Sequence, residues 1–167
     1  MPEITTPRDL FLHELGDILY VEQRLADEVL PKLIGEVQDT ELKQGLEKHL
    51  KETKQHVTNV EQVFDELGKQ PSAEKCIGFE GLKEEHDALV EKSSAALIDL
   101  VDAGAAARTE HYEIAAYEGL ISMARALGER DAVDLLEENL KQEKEALRAV
   151  ESAAKRVGKE QLQEAGR

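Results

Sequence analysis

Residues 11–29, FLHELGDILYVEQRLADEV, place Phe11, Leu15, Ile18, Leu25 and Val29 at alternating steps of four and three. That spacing is the seam of a helix packed along one side. Glu22 occupies the seam position between Ile18 and Leu25, where a bundle wants an apolar residue. The same anomaly recurs twice further on. Ala103, Ala107, Ile114, Tyr117 and Ile121 form a seam with Glu110 in its middle, and Leu136, Leu140, Leu147, Val150 and Ala154 form another around Glu143. Glu52 lies at the edge of the stripe of a fourth helical stretch. An unpaired carboxylate in an apolar core costs several kcal/mol, comparable with the roughly 5–15 kcal/mol net stability of a whole domain. Inward carboxylates on several helices therefore point to a positive partner, a metal site.

Heights along the bundle support the same reading. Glu22 and Glu52 are equidistant from Val37, inside the turn-like stretch Gly35-Glu36-Val37-Gln38-Asp39, where Asp39 suits a helix N-cap. Glu110 and Glu143 are centred between Ala126 and Leu127, and Gly128 follows as a helix stop. In an antiparallel hairpin, residues equidistant from the turn lie side by side, so each pair is expected to meet across its own hairpin.

The chain has 167 residues, enough for one domain with a sizeable core. Aromatics are 4%, Trp is absent, and Ala, Leu, Glu and Lys dominate, a helical composition. The net charge of −15 argues against nucleic acid and anionic membrane surfaces as partners. The single Cys76 excludes an intramolecular disulfide and points to a reducing compartment. The N-terminal MPEITTPRDLF lacks a basic segment followed by an apolar one, so no signal peptide is read there, and no apolar run approaches the roughly 20 residues of a membrane span. The expected location is cytoplasmic.

Four long helices are expected. Helix 1 starts at Thr6-Pro7-Arg8-Asp9, with Thr6 as N-cap and Asp9 closing a capping box, and runs to about Leu33, with Pro31 ending or kinking it. Helix 2 spans about Asp39 to Leu67, helix 3 about Leu89 to Leu127 and helix 4 about Glu129 to Val157, followed by Gly158 and a polar, frayed tail. Residues 68–88, with Pro71, Gly78 and Gly81, form one long connection. Either it returns along the bundle, so that helices 2 and 3 run parallel in the ferritin-like arrangement, or it folds as a small fifth helix beside an ordinary bundle. The whole chain, 1–167, reads as one all-α domain with its core over about 6–157.

Glu22, Glu110 and Glu143 are the principal ligand candidates, with Glu52 fourth. Glu113 lies one turn beyond Glu110 and still faces inward. His49, Thr53 and His56 interrupt the buried stripe of helix 2, and of the imidazoles His56 is the better ligand candidate. Tyr117, a further turn along helix 3, either hydrogen-bonds a ligand or serves as core. Four or five carboxylates and an imidazole make a hard, oxygen-rich site suited to iron or manganese. Two adjacent divalent cations would let bridging glutamates each neutralise two centres, whereas one cation would leave several anions poorly compensated.

The stretches Asp17–Leu25 (DILYVEQRL), His49–Thr53 (HLKET), Phe79–Leu82 (FEGL), Glu110–Tyr117 (EHYEIAAY) and Glu143 within LKQEKEAL resemble the YciE/YciF-like branch of the ferritin-like superfamily, from about Thr6 to Val157. The resemblance implies a ferritin-like four-helix bundle with a long crossover between helices 2 and 3, dimerisation, and a role linked to stress responses. The superfamily pattern is Glu on the first helix, Glu-x-x-His on the second, Glu on the third and Glu-x-x-His on the fourth. Glu22, Glu52, Glu110 and Glu143 match it by position. Gln55 and Ala146 stand where the two histidines would be, which leaves Glu113 and His56 as substitutes. A site poor in imidazole and rich in carboxylate is not committed to the ferroxidase- or catalase-type oxidoreductase chemistry of that pattern.

Three readings follow. The first is a metal-binding ferritin-like homodimer, with a di-iron or di-manganese centre, that handles oxygen, peroxide or metal ions during stress. The second is a metal-free helical interaction module that keeps the fold. The third is an iron-storing hollow shell. The second leaves Glu22, Glu110 and Glu143 without neutralisation, and solution mass separates the third from a dimer.

Overall fold

The capping box read from the sequence starts the first helix. Thr6 accepts from the Asp9 amide at 3.1 Å, Asp9 accepts from the Thr6 amide at 3.0 Å, and Pro7 sits in the first turn. In this computed structural model, which describes residues 3–165, α1 spans Pro7–Arg24. A π-helical turn, Leu25–Val29, leads straight into α2, Leu30–Glu36. The other helices are α3 (Thr40–Glu66), α4 (Ile77–Val90), α5 (Ile98–Leu127) and α6 (Arg130–Ala165), with a 3-10 turn at Ala95–Leu97. There is no strand among the described residues, and no helix among them is long and apolar enough to cross a membrane.

Pro31 does not end the first helical run, which continues to Glu36. Its ring would clash with the carbonyl four residues back in a plain α-helix. The π turn before it opens that spacing, and Leu30 N–H bonds to Leu25 O, five residues back. The extra residue shifts the seam, so Leu30 and Leu33 are buried where Val29 was expected, and Val29 is half-buried. α6 likewise passes through Gly158 to Ala165, where a frayed tail was expected; residues 166–167 lie outside the described residues.

Contacts at the two ends settle the topology. At one end the Gln38 and Asp39 amides donate to the Asp99 carboxylate at 2.8 and 2.9 Å, and Arg156 forks onto Asp39 at 2.6 and 2.7 Å. This gathers the start of α3, the start of α5 and the later turns of α6. At the other end Arg8 pairs with Glu129 in the α5–α6 turn at 3.0 Å, and Gly68 and Gly128 take the positive φ that stops their helices. α3 and α5 therefore run parallel. α1 and α3 form one hairpin, α5 and α6 the other, and a crossover joins them: the ferritin-like four-helix bundle.

The crossover also contains the fifth helix that the sequence left as an alternative. Helix 3 consequently begins at Ile98, not near Leu89, because residues 77–90 form α4. α4 runs alongside α1 and α2. Tyr20 donates to Glu80 at 2.8 Å, Lys83 pairs with Glu28 at 2.9 Å and Lys32 with Asp87 at 3.0 Å. Before α4 the crossover backbone crosses α1 at Gly16, whose carbonyl accepts from the Glu74 amide at 2.9 Å. A Cβ on Gly16 would come within 2.6 Å of the Ser72 carbonyl oxygen, so only glycine permits this approach.

Leu12, Leu19 and Val101, apolar residues off the expected seams, present no free surface. Leu19 is in the core, Leu12 packs against it and Val101 is half-buried.

α4 is fastened to α5 by His86, whose Nε2 lies 2.8 Å from the buried Asp102 carboxylate. The Asp102 hydrogen bond raises the His86 pKa above its usual 6.5, against the opposing effect of burial. A raised folded-state pKa means that the pair's stabilisation is fully present below about pH 6.5 and is lost as pH rises through the folded value. Thermal melts across the neutral to mildly alkaline range should show wild type losing more stability than His86→Gln; parallel curves would refute this contribution.

Candidate metal centre

The buried stripes of the four long helices meet in mid-bundle with polar residues in register. On α3 the stripe is Leu42, Leu46, His49, Thr53, His56, Val60 and Val63. On α5 it runs through Ala106, Glu110, Glu113 and Tyr117, so Glu113, not Ile114, holds the inward position. On α6 it runs through Leu136, Asn139, Glu143, Ala146 and Val150, displacing the expected Leu140 and Leu147 to the flank.

Two sets of candidate ligand atoms result. One is His49, Glu110, Glu113 and Glu143; the other is Glu22, His56 and Glu143; within each, the atoms lie within 4.8 Å of one another. Glu143 belongs to both. Its Oε1 is 2.8 Å from His56 Nδ1, and its Oε2 is 3.7 Å from His49 Nε2. His56 Nδ1 is also 3.3 Å from Glu22 Oε1, and His49 Nε2 is 3.2 Å from Glu110 Oε1.

These approaches are close, but many are not aligned as hydrogen bonds. His56 Nδ1, both Glu143 oxygens, both Glu113 oxygens, Glu110 Oε2 and Glu22 Oε2 are buried without a hydrogen-bond partner. Such orphaned atoms are rare in native cores. Potential ligand atoms gathered within 4.8 Å of one another, several of them unpaired, fit the demands of cations. Carboxylate oxygens with imidazole nitrogens suit iron or manganese.

The surroundings are, by contrast, well satisfied. Tyr117 donates its hydroxyl hydrogen to Glu22, and Asn139 Nδ2 donates to the Tyr117 oxygen at 3.0 Å. Asn59 Nδ2 donates to Asn139 Oδ1 at 2.7 Å, and Gln55 Nε2 donates to Asn59 Oδ1 at 2.9 Å. His56 Nε2 meets Gln142 Oε1 at 2.8 Å, which leaves Nδ1 to face the carboxylates. Second partners of this kind fix the orientation of ligands.

Electrostatics follow burial. Burial, reinforced by the neighbouring Glu143 charge, holds Glu110 and Glu113 well above the usual carboxylate range. Burial also raises Glu22, partly offset by His56. For Glu143, burial is outweighed by the contacts with His56 and His49, and its pKa is lowered. Burial lowers His49, favouring the neutral ring that ligates. For His56, burial opposes protonation but the Glu22 and Glu143 carboxylates outweigh it, and its pKa is pushed up to about 11. A proton on His56 thus supplies positive charge where a cation could sit.

Of the candidates read from the sequence, Glu22, Glu110, Glu113, Glu143 and His56 are brought together. Glu52 is not. Its side chain is half-buried and pairs with Lys48 at 2.5 Å. Equal distance from the turn put it at nearly the right height, but the inward face there belongs to Thr53, one residue on. The meeting expected between Glu22 and Glu52 is replaced by Glu22 with His56. His49, ranked below His56, also approaches two carboxylates, at 3.2 and 3.7 Å against 2.8 and 3.3 Å for His56. The even four-three spacing of His49, Thr53 and His56 with Leu46 and Val60 was the signal that places both rings inward. Asn139 was missed because Leu140 beside it is the more obvious seam residue.

Fold and cluster together define a ferritin-like bundle with a carboxylate-rich centre. The profile of the family described as Domain of unknown function (DUF892) matches residues 6–163, and the chain belongs to that family. It is 36% identical over 141 residues to Protein YciF of Escherichia coli (strain K12), covering 83% of this chain and 84% of that protein. The crystal structure of the E. coli stress protein YciF superposes with a TM-score of 0.86 at 32% identity, covering 93% of this chain and 99% of that one. YcfI from Rhodopseudomonas palustris gives the same TM-score, 0.86, at 38% identity, covering 90% and 96%. These matches place the chain among the YciF-like proteins that its motifs resemble.

Glu113, with both oxygens orphaned, is the sharpest probe of the cluster's cost. Glu113→Gln removes one acid and adds an amide that can donate to neighbouring carboxylates. It should stabilise the metal-stripped protein at neutral pH by about 1 kcal/mol or more, a Tm rise of a few degrees. A clear loss of stability in calorimetry would contradict this account.

Proposed function

We propose that this protein is a metal-binding, stress-related member of the ferritin-like superfamily, in which Glu22, His49, His56, Glu110, Glu113 and Glu143 would hold two divalent cations, iron or manganese, with Glu143 common to both sets. The carrying observation is the pair of ligand sets that share Glu143 and leave buried oxygens orphaned. Charge counting supports two ions: Glu22, Glu110, Glu113 and Glu143 give four negative charges, and two divalent cations supply four positive ones. Such a pair, when bound, would supply Lewis-acid and redox capacity toward oxygen, peroxide or further metal ions. The chain's own part is to hold that pair away from bulk water, with Tyr117 and Asn139 orienting Glu22. The stress-related role is carried over from E. coli YciF. A metal-free interaction module is the competing reading, and it leaves both Glu113 oxygens unsatisfied.

Elemental analysis and calorimetry with Mn(II) and Fe(II) test this directly. The expected result is two ions per chain and a higher Tm on loading. Proton release is expected as His56 Nδ1 exchanges its proton for an ion, so affinity falls in acid. Glu110→Gln should lose at least one ion and keep or gain stability without metal. Failure of wild type to bind either ion at saturating concentration leaves the interaction module in place.

We also infer a homodimer, on the strength of the exposed Leu97, Leu100 and Leu162, which line one open apolar depression between α5 and α6. Light scattering should give twice the 18.6 kDa chain mass, and Leu100→Glu should shift it toward the monomer. A monomer mass for wild type at micromolar concentration would refute the dimer, and a much larger mass would indicate a shell.

A further inference from the structure

We propose that the cleft between α3 and α6 is the route by which a divalent cation reaches the centre, with Glu52 as the carboxylate that receives the ion and passes it to His49 and Glu110. This inference rests on the metal reading above. The cleft has a volume of about 210 Å³, enough for a cation that keeps part of its water, and His49, Glu52 and Glu110 all line it. It therefore brings the half-buried Glu52 and the buried His49 and Glu110 of the first set to one cavity.

Three independent features fit cation passage. The first is charge: Glu41, Glu52 and Glu145 line the cleft on α3 and α6, with Glu41 also paired to Arg156 at 2.9 Å. Lys48 pairs with Glu52, but its side chain is 61% exposed, against 17% for Glu52, so an arriving cation can displace it into water. The second is an unpartnered group: His49 is buried, lines the cleft, and has no hydrogen-bond partner for Nδ1. The third is space. Gly45 lies within α3, where glycine is among the least favourable residues. A Cβ added there would meet nothing within 4 Å, so packing does not demand glycine. The cleft is therefore open beside Gly45.

A second opening also reaches Glu110, under α4, but its volume is about 40 Å³ and it is walled by Leu25, Leu30, Phe79 and Leu82. The His86–Asp102 pair fastens α4 beside it. A hydrated cation is poorly served by that gap. The cleft also explains why an acid that stays out of the ligand sets stands beside them.

The test is the rate of Co(II) or Mn(II) loading into the stripped full-length protein, followed by stopped flow with a chromogenic chelator reporting free ion. Gly45→Phe fills the cleft from a position with room for the side chain; Glu52→Gln keeps shape and removes charge; Ala105→Leu narrows the opening under α4. Final ion stoichiometry and the Tm of the stripped protein should match wild type in all three. Loading should slow about tenfold in Gly45→Phe and about fivefold in Glu52→Gln, and remain unchanged in Ala105→Leu. Unchanged rates in Gly45→Phe and Glu52→Gln, with wild-type stoichiometry, would overturn the route and leave the centre standing. Reduced stoichiometry in Glu52→Gln would make Glu52 a ligand and also overturn it. Absence of ion uptake by wild type would remove the metal reading itself.

Discussion

Everything in mid-bundle depends on how the Glu143 carboxylate is compensated. Each of its oxygens faces a different imidazole, one toward Glu22 and the other toward Glu110 and Glu113. In a dry core, four carboxylates without positive charge would cost more than the margin by which a domain of this size folds. The protein meets part of that cost with a proton on His56 and with raised pKa values on the acids. The hydrogen-bonded chain Tyr117–Asn139–Asn59–Gln55 satisfies its neighbours so fully that the orphaned oxygens stand out as a deliberate deficit. The same atoms that burden the stripped fold are those that would reward a cation.

The bundle is built to hold that arrangement at mid-height. Parallel α3 and α5 require a connection that traverses the bundle's length, and the crossover makes the journey in two pieces. It crosses α1 at Gly16, then climbs as α4 along α1 and α2. α4 is thereby a fifth wall beside the ligand-bearing part of α5, held by ion pairs to α1, the π turn and α2 and by His86 to Asp102. At the far end Asp39 caps α3 and receives Arg156, and its amide and that of Gln38 reach Asp99, tying three helices to one turn. The ligand sets gain rigidity from both ends without any covalent staple.

Much of this was legible in the sequence because seam spacing reports burial. A glutamate within an otherwise apolar stripe declares itself, and Glu22, Glu110 and Glu143 did so. The capping box at Thr6, the Asp39 cap and the Gly128 stop are local chemistry and came through with little error. What failed depends on rotation about a helix axis. One residue separates Glu52 from Thr53, and Leu140 from Asn139, and hydrophobicity alone favours the wrong member of the second pair. Height was easier to infer than face, since height follows from counting along the chain and face from packing against three other helices. The start of α5 was misjudged because apolar residues of α4 and of the turn after it continue the helical composition without a break.

The π turn at Leu25–Val29 has a consequence for how this chain tolerates changes of length. Above it the inward positions run Phe11, Leu15, Ile18, Glu22; below it they resume at Leu30 and Leu33, one residue out of step. The turn therefore absorbs one surplus residue next to Glu22 and uncouples the phase of the ligand-bearing segment from that of the segment leading into α3. Losing one residue between Ala26 and Val29 would bring both stripes into one helical phase but set the Pro31 ring against the carbonyl four residues back, whereas a loss anywhere between Phe11 and Glu22 would rotate part of the core stripe away from the core. The bulge thus reconciles Pro31 with the phase of the core stripe, and it does so one turn from the centre.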